Sequence, residues 1–164
     1  MTQPDPPRVP RIAQMMEGWT GTNTGPAFVP GLHRWLYEAS DGRIGHGIIG
    51  LPSLLLHTTG RRTGLRRTSA LVYGRDGDSF VVVASNYGGP HDPAWLANIR
   101  ADPRVELQVG RRRLVAEARV VEPGDADYAR LWGLMNRVTH YRYDHYQAGT
   151  ARSIRLVAMR PVAG

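Results

Sequence analysis

Gly60-Arg-Arg-Thr-Gly64, with Arg66 and Arg67 just beyond it, is the stretch where residue type and spacing specify chemistry most directly. Glycines at both ends of a short turn permit positive φ and leave backbone N–H groups uncovered, while arginines between them supply planar donor forks. Backbone and side-chain donors together can then hold an anion. The competing reading is a solvated basic hairpin, which an isolated motif of this kind would favour. Other groups suit other chemistry. Ser85 and Asn86 open a loop rich in glycine, and Tyr141, Tyr143 and Tyr146 stand beside His140 and His145, where a phenol could donate a hydrogen bond or a proton. The two histidines are five residues apart beside Asp144, which is no specific metal spacing, and no metal site is expected. No G-x-S-x-G elbow is present, so a hydrolase triad has no support.

These groups must be positioned mainly by strands. Leu54–Leu56 with Thr58 and Thr59 reads as a buried strand over 53–59, and β-character resumes over 67–73. The Asp-Gly pair within 74–78 predicts a hairpin turn. The apolar run 80–84 fits a strand buried on both faces, and 104–109 and 114–121 alternate as two more. A last strand is expected over 154–159. Asp92 as N-cap and Pro93 as first residue predict a helix over 93–101, with Trp95 closing it onto the sheet and Asn98 bracing a neighbouring loop. A second helix is expected over 125–138, and 141–147 reads as irregular. His57, among apolar neighbours, reads as a hydrogen-bonded core histidine. Before the strands, four prolines within 1–10 mark the start of an arm, largely disordered over 1–31; 32–40 has helical spacing, and 42–50 is rich in glycine. The organisation expected is this arm followed by one domain over 32–164: mainly β, about six antiparallel strands in a small barrel with helical additions.

Composition bounds the partners. The 164 residues contain 41% hydrophobic and 21% charged residues, as in soluble globular domains. All 21 basic side chains are arginine, and the net charge of +7 favours an anionic partner. With no cysteine, disulfides and thiolate chemistry are excluded. Nothing approaches the roughly 20 apolar residues of a membrane span, and no secretory h-region is seen, so a cytoplasmic protein is expected. A secondary reading lets Trp35, Ile44, Ile48 and Ile49 touch the inner face of a membrane. Nucleic-acid binding rests on charge alone, without an aromatic-basic stacking surface or groove helix, and is not expected.

The succession L-L-L-H-T-T-G-R-R-T-G, R-T-S-A-L-V-Y, D-G-D-S-F-V-V-V-A-S, G-G-P-H-D-P-A-W, N-I-R-A-D-P-R-V-E-L-Q-V-G and Y-Q-A-G-T-A-R-S-I resembles the deazaflavin-dependent nitroreductase family, a branch of the flavin/deazaflavin oxidoreductases with a split β-barrel fold. Motif order and spacing are kept over roughly two thirds of the chain, from about Leu54 to Pro161. The resemblance implies an oxidoreductase that binds the reduced 8-hydroxy-5-deazaflavin coenzyme F-420, whose phosphodiester and polyglutamate tail are anions. It would deliver hydride to a hydrophobic, electron-poor acceptor: a quinone, an enone or a nitroaromatic compound. By the same resemblance Arg61, Arg62, Thr63 and Arg67 hold the phosphate and tail. Thr68, Ser69 and Ala70 line the ring edge, and Ser85 and Asn86 lie near the ring. Trp95 and Asn98 match the family's helix, and Tyr143 and Tyr146 close the substrate side. Ser85, Tyr143 and Tyr146 are the candidate catalytic residues. A homodimer is a further expectation. The alternatives are an FMN oxidoreductase of the same fold, or a non-catalytic protein binding a cofactor or a membrane surface. Four departures from the family's pattern stand out: Arg62 and Asn86 where lysine is frequent, the pair His91-Asp92 where a basic residue is more common, and Arg155 in place of a common proline.

Overall fold

A computed structural model describes residues 50–162. The arm, the expected helix over 32–40, the glycine-rich piece and the membrane-facing residues therefore lie outside the described residues.

The described chain runs β1 (Ser53–Thr59), β2 (Arg66–Val72), β3 (Gly74–Asp76), β4 (Ser79–Val83), α1 (Ala94–Ala101), β5 (Arg104–Val109), β6 (Arg112–Val121), α2 (Tyr128–Val138), α3 (Arg142–Ala148) and β7 (Leu156–Pro161). The strands form one sheet in the order β2-β1-β5-β6-β7-β4-β3, and every pairing is antiparallel. It is a curled half-barrel with helical additions, as expected for a mainly β chain.

Strand periodicity sorts the side chains into two cores. Leu54 and Leu56, Phe80 and Val82, and Ala116 and Ala118 face the barrel interior, where Trp95, Leu96 and Ile99 of α1 join them. Val81 and Val83 point the other way and pack with Leu131 and Met135 of α2, Tyr143 of α3 and Ile154. That is why Phe-Val-Val-Val-Ala reads as a continuous apolar run: β4 is buried on both faces.

Three expectations from the sequence need correction. The described residues form seven strands, because residues 74–76 pair with β4 and the turn narrows to Gly77-Asp78, with Gly77 at φ +57°. Gly74 allows this close under α2: a Cβ there would stand 2.8 Å from Met135 Sδ. Residues 142–148 are helical. Seven residues carry little periodic signal, and no local cap announces the helix. It is held from α2 instead: the Asp144 carboxylate accepts from Trp132 Nε1 and Asn136 Nδ2 at 2.7 Å each, and Asn136 Oδ1 accepts from the Asp144 N–H. Asp92 does not cap α1. Pro93 occupies the N-cap position, and the Asp92 carboxylate is taken by Arg152 and Arg155.

Leu56 is 1% exposed inside the barrel. Leu56→Ala is expected to cost about 2–5 kcal/mol, the usual penalty of a buried leucine cavity. Urea unfolding checks it: the midpoint should fall with the slope unchanged.

Candidate functional site

Alternating strand direction puts the chemistry on one rim. The ends of β1 and β4 and the starts of β2, β5 and β7 all lie at the same end of the sheet. The β1–β2 turn, the loop leaving β4, α1 and the segment before β7 therefore share that end.

The turn is a tight loop. Gly60 N donates to Leu65 O at 2.8 Å, and Gly64 N donates to Gly60 O at 2.7 Å. Gly64 is at φ +66°, and a Cβ on Gly60 would lie 2.8 Å from Thr63 Oγ1. Both glycines are thus required by geometry, one by conformation and one by space. Thr63 Oγ1 accepts from Leu65 N, so its hydroxyl helps to hold the turn. From below, buried Asn98 of α1 braces it: Oδ1 accepts from Arg61 N at 3.1 Å, and Nδ2 donates to Thr58 Oγ1 at 3.0 Å. The expected bracing role of Asn98 is what the geometry shows.

The arginines divide by partner. Arg66 and Arg67 alternate across β2: Arg66 is opposite Thr59 and pairs with Glu106 at 2.9 Å, while Arg67 is opposite Thr58 with its Nε near Gly60. Arg100, Arg113, Arg119, Arg130, Arg152 and Arg155 are also paired with carboxylates. Arg61, Arg62 and Arg67 are exposed and have no ion pair among the described residues. Arg61 and Arg62 on the turn and Arg67 on the adjoining strand thus present three exposed guanidiniums without a carboxylate among the described residues, a donor set suited to an anion. Thr68, Ser69 and Ala70 follow on β2, which is an edge strand with one row of backbone groups free of a strand partner. The Thr68 hydroxyl lies 2.9 Å from His57 Nδ1, so His57 is buried and hydrogen-bonded as expected, but on the polar outer face of β1 beside Glu106 rather than in either apolar core.

The second cluster is aromatic. Tyr128 stacks on Trp132 at 5.8 Å, Trp132 meets Tyr143 at 6.2 Å, Tyr143 meets Tyr146 at 6.2 Å, and Tyr146 meets Tyr87 at 6.4 Å. The loop bearing Ser85, Asn86 and Tyr87 touches α3 directly, since a Cβ on Gly88 would come within 3.1 Å of the Tyr146 carbonyl. The Asn86 side chain is turned inward, donating to His91 O at 2.9 Å. Trp95 sits in the barrel core, 7% exposed, between the two clusters in sequence but on neither surface. Burial pushes the Tyr143 phenol well above its ordinary value, with the neighbouring Tyr146 adding to the effect. Tyr146 is raised in the same way, partly offset by Arg142. Both phenols stay protonated across the neutral range and can donate hydrogen bonds.

Two residues of this region escape sequence reasoning. Tyr87 is 72% exposed at φ +54°; its one signal is that it is a lone aromatic in a glycine loop. Arg152 donates to four acceptors of that same loop, and only its place in Y-Q-A-G-T-A-R-S-I hinted at a role.

Comparison with known proteins bears directly on this geometry. Residues 31–161 match the family model described as F420H(2)-dependent quinone reductase. The chain belongs to that family. An F420H(2)-dependent quinone reductase of Mycobacterium tuberculosis strain H37Rv is 48% identical over 129 residues, covering 78% of this chain and 87% of the relative. A solved structure of an F420-H2 dependent reductase superposes with TM-score 0.60 at 30% identity, over 66% of this chain and 94% of that one. A second solved structure, described only as a domain-swapped dimer, gives TM-score 0.62 at 27% identity over 79% of this chain and 99% of that one. The deazaflavin expectation is borne out by the family and the mycobacterial relative, and the split-barrel expectation by the F420-H2 dependent reductase structure. Among the described residues no helix is long and apolar enough to cross a membrane.

Asn98→Ala would strip the Arg61 N–H and the Thr58 hydroxyl of their shared partner. It is expected to cost about 1–3 kcal/mol in stability, as for a broken buried hydrogen-bond pair, and to weaken anion binding at the turn; thermal melts and coenzyme titration measure the two effects. A second expectation follows from the phenols. An acid whose folded pKa is raised stabilises the fold fully below its unfolded value and less as pH climbs past it. Wild-type stability should therefore fall as pH rises beyond about 10, the free phenol value. Tyr143→Phe should flatten that alkaline loss in melts recorded from pH 8 upward; an unchanged slope would remove Tyr143 as its source.

Proposed function

We propose that this protein transfers hydride from the reduced deazaflavin coenzyme to a planar, hydrophobic quinone. The observation that carries the reading is a set of three exposed arginines, two on the glycine turn and Arg67 at the start of β2, that have no carboxylate partner among the described residues. It occurs in a chain whose family is named for that coenzyme and acceptor. The coenzyme, when bound, supplies the hydride. Everything else falls to the protein, which must anchor, orient and exclude.

Arg61, Arg62 and Arg67 neutralise the phosphodiester and tail, with Thr63 and Asn98 fixing the loop that presents them. The outer backbone edge of β2 at Thr68–Ala70 aligns the ring system. Ser85, half-buried at the exit of β4, and Asn86 stand at the ring's far side. Tyr143 and Tyr146, kept neutral by burial, offer phenol O–H groups to a quinone oxygen, whose charge grows as it is reduced. Trp95 contributes by closing the barrel beneath. The likeness to a structure described as a domain-swapped dimer supports a homodimer as the assembly.

Fluorescence titration with the reduced coenzyme, followed by steady-state assays with a short-chain quinone, tests this reading. Arg61→Ala with Arg67→Ala should weaken coenzyme binding by about 10²-fold, the loss of two charge-assisted anchors at 1–2 kcal/mol each. It should leave the melting temperature close to wild type, because neither side chain is packed. A wild-type protein that binds FMN in preference, or oxidises the coenzyme with no quinone, sinks the assignment.

A further inference from the structure

Arg152 lies in the segment between α3 and β7, with its side chain only 13% exposed. Its guanidinium donates from Nε to Gly89 O at 2.9 Å and from Nη1 to Asp92 Oδ1 at 2.9 Å. Nη2 donates to Ala84 O at 3.2 Å and to Ser85 O at 2.6 Å. One planar fork thus gathers acceptors from both ends of the loop that leaves β4. No other side chain type could do this, since lysine has a single nitrogen.

The loop needs such a clamp. Asn86, Tyr87 and Gly88 lie consecutively in the left-handed region, at φ 45°, 54° and 75°. Glycine adopts it freely and asparagine readily, but for tyrosine it costs roughly 1–2 kcal/mol. Burial does not compensate, because the Tyr87 ring is mostly in solvent. The strain is instead opposed by the Arg152 bonds, by Asn86 Nδ2 on His91 O, and by the Gly88 N–H on Ser85 O. Its product is an exposed aromatic ring set edge-on to Tyr146, which in turn meets Tyr143 edge-on. The exposed Tyr87 ring offers a face on which a flat aromatic ligand beside those phenols can stack.

We propose that Tyr87 is a specificity-determining contact for the quinone ring, and that Arg152 is the positioning residue that sets it. This rests on the reading that the acceptor is reduced at this rim. Asp92 completes the device: it balances the Arg152 charge and is itself held by Arg155 at 3.3 Å.

A double-mutant cycle on the full chain decides it, using the reduced coenzyme and a naphthoquinone as probes. Tyr87→Ala is expected to raise the quinone KM about tenfold while coenzyme affinity stays within about twofold. Arg152→Lys should do the same, and the double variant should be no worse than the poorer single one, because both act through one ring. Additive losses in the double variant, or an Arg152→Lys protein that loses coenzyme and quinone alike, would reduce Arg152 to a structural residue and overturn its part. An unchanged quinone KM in Tyr87→Ala, with the wild type active, overturns the proposal while leaving the quinone reductase reading intact. A wild type that binds coenzyme but reduces no quinone overturns both. If Arg152→Lys fails to fold, the KM of Tyr87→Ala still decides the ring contact, since that side chain supports no core.

Discussion

Strand direction is the constraint from which the placement of the chemistry follows. Each strand runs opposite to its neighbours, so a turn after β1 and a loop after β4 must emerge at one end of the sheet, although they are far apart in sequence order. The chain exploits this by inserting α1 between β4 and β5 at that same end. Asn98 of α1 then reaches both Thr58 at the close of β1 and the Arg61 N–H in the turn. A buried amide with both of its ends engaged is intolerant of displacement, because each group it leaves would be unsatisfied. The glycine-bracketed turn is thereby tied to the barrel core through Trp95, Leu96 and Ile99 on the same helix.

A chain with 21 arginines and no lysine must divide its guanidiniums between structure and ligands. The two-residue period of β2 makes one such division. Arg66 falls on the face where Glu106 waits across β1, and Arg67 on the opposite face, where it meets no carboxylate among the described residues. Neighbours in sequence thus have unrelated fates. Arg152 stands at the other extreme, with its donors committed to backbone carbonyls and one carboxylate inside the protein. Arginine suits both ends of this range because the fork binds a phosphate or a set of carbonyls with the same geometry.

Much of this was legible in the residues. Hydrophobic alternation located the long strands, and Gly60 and Gly64 located the turn, because both signals are local and each residue carries its own reason. The Phe-Val-Val-Val-Ala run even announced that β4 is covered on two sides. What was not legible depends on distant partners. The three residues from Gly74 pair with β4 beneath α2, where a Cβ on Gly74 would crowd Met135 and Leu134. Helix α3 forms because Asn136 and Trp132 hold Asp144, twelve or fewer positions away but on another element. Asp92 looked like a cap by position, yet two arginines some sixty residues later outcompete the backbone N–H groups for its carboxylate. Tyr87 and Arg152 were missed for the same reason: neither a strained φ nor a four-acceptor fork leaves a mark in sequence spacing.

The positions that depart from the family's pattern also take on a different meaning once they are placed in space. Taken singly, Asp92 adds negative charge near the site and Arg155 removes a rigid residue. They are partners at 3.3 Å, and Arg155 Nε donates onward to Glu122 at 2.7 Å. Glu122 in turn accepts from Arg100 of α1. The charges therefore form one alternating network of Arg152, Asp92, Arg155, Glu122 and Arg100, in which Glu122 sits between two guanidiniums and Asp92 among three, Arg100 reaching it at 4.0 Å. An Asp92 without Arg155 would carry less compensation beside the loop, and an Arg155 without Asp92 would add a cation beside Arg152. Within the pair the two formal charges cancel. What the pair adds is connection: it ties the Arg152 clamp to both α1 and the end of β6, so the glycine-bracketed turn braced by α1 and the loop that carries Tyr87 rest on one network.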